Sequence, residues 1–92
     1  MRLKGNYRKA ERIVKGFSNH KRVEILELLN ETPELSVFEI SDKLGMNFKT
    51  LSEHLRKMTI SVLVLKRSDG VSIRHCLSER GKKVLKFLKD LE

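Results

Sequence analysis

Little in this chain could be cross-linked, inserted in a membrane or put to catalysis. Cys76 is the single cysteine, which excludes an intrachain disulfide and suits a reducing compartment. No apolar run approaches the roughly 20 residues that span a bilayer. The opening stretch MRLKGNYRKAER is charged, with no apolar segment after it. No secretory signal is read there, and the expected location is the cytoplasm. No phosphate-cradling glycine loop, nucleophile–base set or pair of carboxylates in a plausible pocket stands out, which argues against an enzyme. Ser36 with Glu39, and Ser78 with Glu79, read as helix caps instead. Repeats, low-complexity tracts and linkers are also missing. The 92 residues are therefore expected to form one domain, 1–92, around a thin core.

Positive charge is abundant. Lys and Arg number 20 against 12 acids, a formal charge of +8, and charged residues make up 35% of the chain. Such an excess points to a polyanionic partner, nucleic acid first and an anionic membrane surface second, or to solubility alone. Apolar residues make up 39%, little for a globular domain, and they fall at helical spacing.

In 6–17, NYRKAERIVKGF, the apolar side is Tyr7, Ala10, Ile13, Val14 and Phe17. A second helix follows in SNHKRVEILELLNE, capped by Ser18 or Asn19 and stopped by Thr32-Pro33. Its broad apolar face predicts a central place in the core. Ser36 and Glu39 form a capping box for a third helix, with Leu35 and Ile40 spaced as a hydrophobic staple. Gly45 closes that helix, and Met46 turns back toward the core. A fourth helix runs from about Asn47 to Ile60 with Leu51, Leu55 and Met58 inward. VLVLKR and VSIRHCL flank Ser68-Asp69-Gly70, a hairpin signal. Ser78 caps a last helix striped with Val84, Leu85, Leu88 and Leu91. The expected class is mainly α with a small β-hairpin, in the order α-α-α-α-β-β-α: a winged helix-turn-helix with one helix added at each end.

Two helices across a tight turn can set the second in the major groove of B-DNA. With Leu51 inward, Lys49, Glu53 and Arg56 point outward, and Thr50, Ser52 and Lys57 flank them. Asn47, Phe48, Lys49, Thr50, Ser52, Arg56 and Lys57 are the candidate DNA-contacting residues of this helix. Glu53 is expected to pair with Lys49 or Lys57, four residues away. Phe48 has two readings, a thymine-methyl contact or a core residue at the helix start. His54 is expected to pack or hydrogen-bond. Lys66, Arg67, Ser68 and Arg74 make the hairpin a second, phosphate-holding contact. Cys76 shares a strand face with Arg74, which suggests partial exposure.

FSNHKRVEILELL, LSVFEISDKLGMNFKTLSEHLRKM and the hairpin together resemble the arsenic-repressor (ArsR) family of winged-helix transcription regulators. SNHKRVEIL matches the family's small-residue and Arg signature, and Ser52–Leu55 (SEHL) its Ser-x-His-Leu pattern. LSERGKKVLKFL is similar to the Leu-Thr/Ser-x-x-Gly segment of MarR-like and archaeal winged-helix regulators. The likeness spans roughly residues 12 to 91. It implies a double-stranded-DNA-binding regulator, more often a repressor, that pairs as a homodimer through its first and last helices. The interface would use Tyr7, Ala10, Ile13, Val14, Phe17, Val84, Leu85, Leu88 and Leu91. A two-fold dimer would set its recognition helices about 34–36 Å apart, on a palindromic site.

The chain departs from the family twice. The cysteines and histidines of metal-sensing members are missing from 36–44 and from the last helix, so no metal or other cofactor is expected. Val62 stands where members carry glycine, and a β-branched residue disfavours a left-handed cap there. The outer basic residues Arg2, Lys4, Arg8, Lys9, Arg12, Lys82, Lys83, Lys86 and Lys89 would embrace flanking DNA or only aid solubility. Two other functions fit the same charge: a low-specificity architectural DNA-coating protein, and a winged helix for protein or RNA contact.

Overall fold

The computed structural model describes residues 3–92; Arg2 of the basic flank lies outside them. The elements run α1 (Tyr7–Phe17), α2 (His20–Glu31), α3 (Val37–Leu44), α4 (Phe48–Ile60), β1 (Val64–Ser68), β2 (Ile73–Leu77) and α5 (Glu79–Asp90). This is the expected succession, with each strand starting two residues later than its apolar run.

Local chemistry sets each helix start. Asn6, Asn19, Ser36, Asn47 and Ser78 are the N-caps, and each side-chain oxygen accepts a first-turn backbone N–H. Such a bond satisfies a donor that the helix ladder leaves open, and contributes about 1 kcal/mol. At α2 the cap falls to Asn19, whose Oδ1 accepts from the Lys21 N–H at 2.8 Å. The box at α3 is complete. The Glu39 N–H donates to Ser36 Oγ (3.1 Å), and the Ser36 N–H donates to Glu39 Oε1 (3.0 Å).

Helix α2 is the centre of the core, through Ile25, Leu26 and Leu29. Ile40 of α3, Leu51, Leu55 and Met58 of α4, then Leu63, Val64, Leu77, Val84 and Leu85 close around it, with Phe17, Leu28 and Met46 packed at the margin. Burying a side chain of this size contributes roughly 1.5–3 kcal/mol. Leu55→Ala would cost about 2–5 kcal/mol, because the space it leaves cannot fully collapse.

The hairpin is antiparallel, in register from Val64↔Leu77 to Ser68↔Ile73. Only its base is buried, at Val64, His75 and Leu77. A third short pairing, invisible in the local sequence, ties it down: Leu35 bridges to His75. The Glu34 N–H donates to the His75 carbonyl (2.8 Å) and the His75 N–H donates to the Leu35 carbonyl (2.9 Å). The His75 ring is a core group, 1% exposed, its Nδ1 2.8 Å from that same carbonyl oxygen. Burial lowers its pKa.

Val62 corrects an expectation. It takes the left-handed conformation, φ 58°, that its β-branched side chain argues against. Helix α4 ends there in a Schellman pattern. The Val62 N–H donates to the Thr59 carbonyl (3.0 Å) and the Leu63 N–H to the Met58 carbonyl (2.8 Å). Tertiary contacts impose it. Leu63 and Val64 are fully buried immediately afterwards. The Ser78 hydroxyl donates to the Val62 carbonyl, and Arg80 Nη1 donates to the Ser61 carbonyl at 2.9 Å. On the other side Ser61 sits against Gly16 of α1, so closely that a Cβ on Gly16 would overlap the Ser61 side chain. The end of α4 is thus clamped between α1 and α5.

Candidate nucleic-acid interface

The turn between α3 and α4 is fastened at both ends. Gly45 takes the left-handed cap, φ 61°, and the Ser41 hydroxyl donates to the Met46 carbonyl at 2.6 Å. Asn47 Oδ1 then accepts from the Lys49 N–H (2.8 Å) and the Thr50 N–H (3.2 Å). Its amide oxygen therefore organises the first turn of α4.

With Leu51, Leu55 and Met58 inward, Asn47, Phe48, Lys49, Thr50, Arg56 and Lys57 are exposed and Ser52 is half-buried. Lys49, Ser52 and Arg56 share one outward face. Phe48 stands 56% exposed, which leaves its core reading without support. Phe38 of α3, which attracted no notice in the sequence, is 73% exposed. Glu53 corrects a second expectation: its partner is Arg56, three residues on, not Lys49 or Lys57. The arginine fork reaches the carboxylate with two nitrogens, which an ammonium cannot do. This bond lowers the Glu53 pKa and raises that of Arg56. His54 is half-buried, and its Nδ1 accepts from Arg22 Nε at 3.1 Å. Burial first, then the Arg22 charge, lowers the His54 pKa.

The four wing residues divide. Lys66 and Ser68 are exposed. Arg67 pairs with Glu34, Nη2 to Oε2 at 3.0 Å. Arg74 is spoken for on two sides. Its Nη1 lies 2.7 Å from Glu39 Oε1 and its Nε 2.9 Å from Asp69 Oδ2. It straps the wing to the capping box of α3. The Arg74 bond, helped by the Ser72 N–H, holds the Asp69 pKa down at about 2. Cys76 is half-buried on the same strand face as Arg74.

Between α1 and α5 runs a largely apolar cleft of about 400 Å3 lined by Ile13, Val14, Phe17, Val84 and Phe87 together with Arg80 and Lys83. Of the nine residues anticipated on this face, Tyr7, Val14 and Leu91 are exposed, and Ala10, Ile13, Phe17 and Leu88 are half-buried. Leu85 is closed into the protomer's own core, and Val84, though largely buried, still lines the cleft. Phe87, 54% exposed, is the large side chain that the stripe reading missed. It follows Leu85 by two positions, and only the packing of α5 on α2 shows which edge faces out. Among the described residues, no group of three or more His, Cys, Asp or Glu could hold a metal ion, and no helix is long and apolar enough to cross a membrane.

A braced helix, a tight turn, an exposed polar helix and a two-stranded wing define a winged helix-turn-helix of the transcription-regulator class. The sequence profile of the bacterial regulatory proteins of the arsR family matches residues 19–61. An HTH-type transcriptional regulator of Methanocaldococcus jannaschii is 31% identical, over 92% of this chain and 97% of its own length. The solved structure of HlyU from Vibrio cholerae is 31% identical and superposes with a TM-score of 0.80 over 97% of both chains; that protein is described as a transcriptional activator. A homodimeric winged helix-turn-helix DNA-binding domain from Mycobacterium bovis, 24% identical, shares the fold with a TM-score of 0.84 over 97% of this chain and 89% of its own. The chain belongs to the arsR family of regulatory proteins and is a DNA-binding transcription regulator.

Proposed function

We propose that the protein is a homodimer of one winged-helix domain, residues 1–92, that reads a palindromic double-stranded site and represses by occupying it. The observation that carries this is the outward face of α4, where Lys49, Ser52 and Arg56 project from a helix rigidly capped at both ends. A rigid helix loses little entropy on docking, so its hydrogen bonds can discriminate bases. Asn47, Phe48, Thr50 and Lys57 surround that face, and Lys66, Arg67 and Ser68 lie on the wing, with Arg74 positioning it. Helices α1 and α5 supply the two-fold contact through the cleft at Phe17 and Phe87. The location is the cytoplasm. The proposal needs no metal, cofactor or catalytic step. The V. cholerae relative is described as an activator, so repression rests here on operator occupancy alone.

Selection of bound duplexes from random DNA, with light scattering on the free protein, tests this. The expected result is a dimer and a symmetric motif with half-sites one helical turn apart. Random duplex bound as tightly as the best selected site would favour the low-specificity coating function. Binding to no duplex would turn the assignment toward protein or RNA contact.

A further inference from the structure

A second cavity adjoins the face just described, sharing Arg56 and Lys57 with it, and lies between α1, the start of α2 and the end of α4. It measures about 390 Å3, at the small end of ligand pockets. Arg12, Lys15, Arg22, Arg56 and Lys57 all line it, and no Asp or Glu does. Lys15 and Arg56 are paired with Glu11 and Glu53. Arg12, Arg22 and Lys57 have no carboxylate partner among the described residues. Arg22 is moreover fixed in place. Its Nη1 donates to the Lys15 carbonyl at 2.6 Å and its Nε to His54 at 3.1 Å.

Three like charges from three helices repel each other around one concavity, offset only in part by the Glu53 carboxylate that Lys57 and Arg22 feel, and an arriving anion relieves the repulsion. We infer that this cavity receives a phosphoryl group, bound by Arg12, Arg22 and Lys57. A carboxylate has two oxygens, whereas a phosphoryl group has three and carries more charge, so it can meet all three cations at once. Two sources supply phosphate oxygens: a small phosphorylated effector, whose terminal group has three, and a backbone phosphodiester of the DNA, which brings two free oxygens and one charge to the same cations. Either bridges α1 to the clamped end of α4, joining the dimer helix to the recognition helix. The DNA source rests on the function proposed above; the effector source does not.

The experiment has two arms, on the full chain and on Arg12→Gln, Lys57→Gln and Lys89→Gln. Lys89 is an exposed cation on α5 that does not line the cavity, so in the DNA-free titration its loss changes net charge alone. Calorimetric titration of the DNA-free protein with pyrophosphate reads the first source. If the occupant is a small effector, affinity falls about tenfold in both cavity variants and less than about twofold in Lys89→Gln. Titration of duplex DNA, selected and random, reads the second. If the occupant is a backbone phosphate, pyrophosphate binding is absent or insensitive to the substitutions. Duplex affinity then falls about tenfold in both cavity variants, alike for both sequences. The inference is overturned if neither arm responds to the cavity variants, or if Lys89→Gln costs as much as they do in the pyrophosphate titration. A chain that binds no duplex defeats the proposed function, while the pyrophosphate arm still decides the cavity.

Discussion

The Ser78 hydroxyl donates to the Val62 carbonyl, so the residue that caps α5 also grips the residue that ends α4. A side chain that starts one helix therefore sets the exit of another, and links the proposed dimer helix to the recognition helix. Val62 bears a left-handed backbone for this, a conformation that costs a non-glycine residue about 1–2 kcal/mol. Val62→Gly should remove that cost, less the added freedom of glycine in the unfolded chain, and raise stability by about 1 kcal/mol. Ser78→Ala should lower it by about 1–2 kcal/mol. Chemical denaturation of the two variants checks both; a destabilised Val62→Gly would mean that the backbone there is not strained.

Glu53 is an acid on a face proposed to meet phosphates, and it holds the Arg56 fork. Glu53→Gln should free that arginine and remove a repulsion. Duplex affinity is then expected to rise severalfold, with a steeper dependence on salt. Fluorescence anisotropy over a salt series measures this; unchanged affinity would place Arg56 outside the DNA contact.

Phe48 is more than half exposed, so its truncation removes little buried area. Phe48→Ala should leave thermal stability within about 0.5 kcal/mol of the parent. Affinity for the selected site should drop, and most at sites with thymine opposite this residue. Binding to site variants with thymine replaced by uracil, which lacks the methyl, separates this contact from general loss.

His75 and His54 both have pKa values lowered by burial. Both are then neutral in the folded state while their unfolded counterparts, near pKa 6.5, take up protons. Their contribution is complete above about pH 6.5 and is lost as pH falls toward the folded values. Melting temperature should therefore decline from about pH 7 to pH 5. His75→Phe should flatten the decline more than His20→Gln, since His20 lies exposed at the start of α2. The Arg74–Asp69 strap should persist through that range, because Asp69 stays ionised down to about pH 2.

Phe87 and Val14 are exposed on opposite walls of the α1–α5 cleft. Val14→Glu or Phe87→Glu should give a folded monomer whose duplex affinity falls by more than tenfold, since paired half-sites reinforce each other. Circular dichroism confirms folding, and light scattering reads the mass.

The order of elements was legible because their signals are short-range. A cap, an apolar period and an Asp-Gly turn each act within a few residues, and all five caps that matter lie where the sequence shows Asn or Ser. The outward face of α4 was legible for the same reason, since three inward leucines and methionines orient every other residue of the helix. Partners were not. That Glu53 would choose Arg56 follows from guanidinium geometry on one particular surface. That Arg74, a candidate phosphate contact, would also strap the wing to α3 follows from α3 lying beside the wing.

Periodicity within this chain was enough to establish four helices, a hairpin, a fifth helix and a cationic helix surface, because such patterns depend on neighbours three or four positions apart. Long-range packing settled the rest. It forced Val62 into a left-handed turn, drew His75 into the core, hid Leu85 while exposing Phe87, and gathered Arg12, Arg22 and Lys57 around one cavity. Those outcomes depend on which surfaces meet when the helices close on α2, and no window of local sequence contains that information.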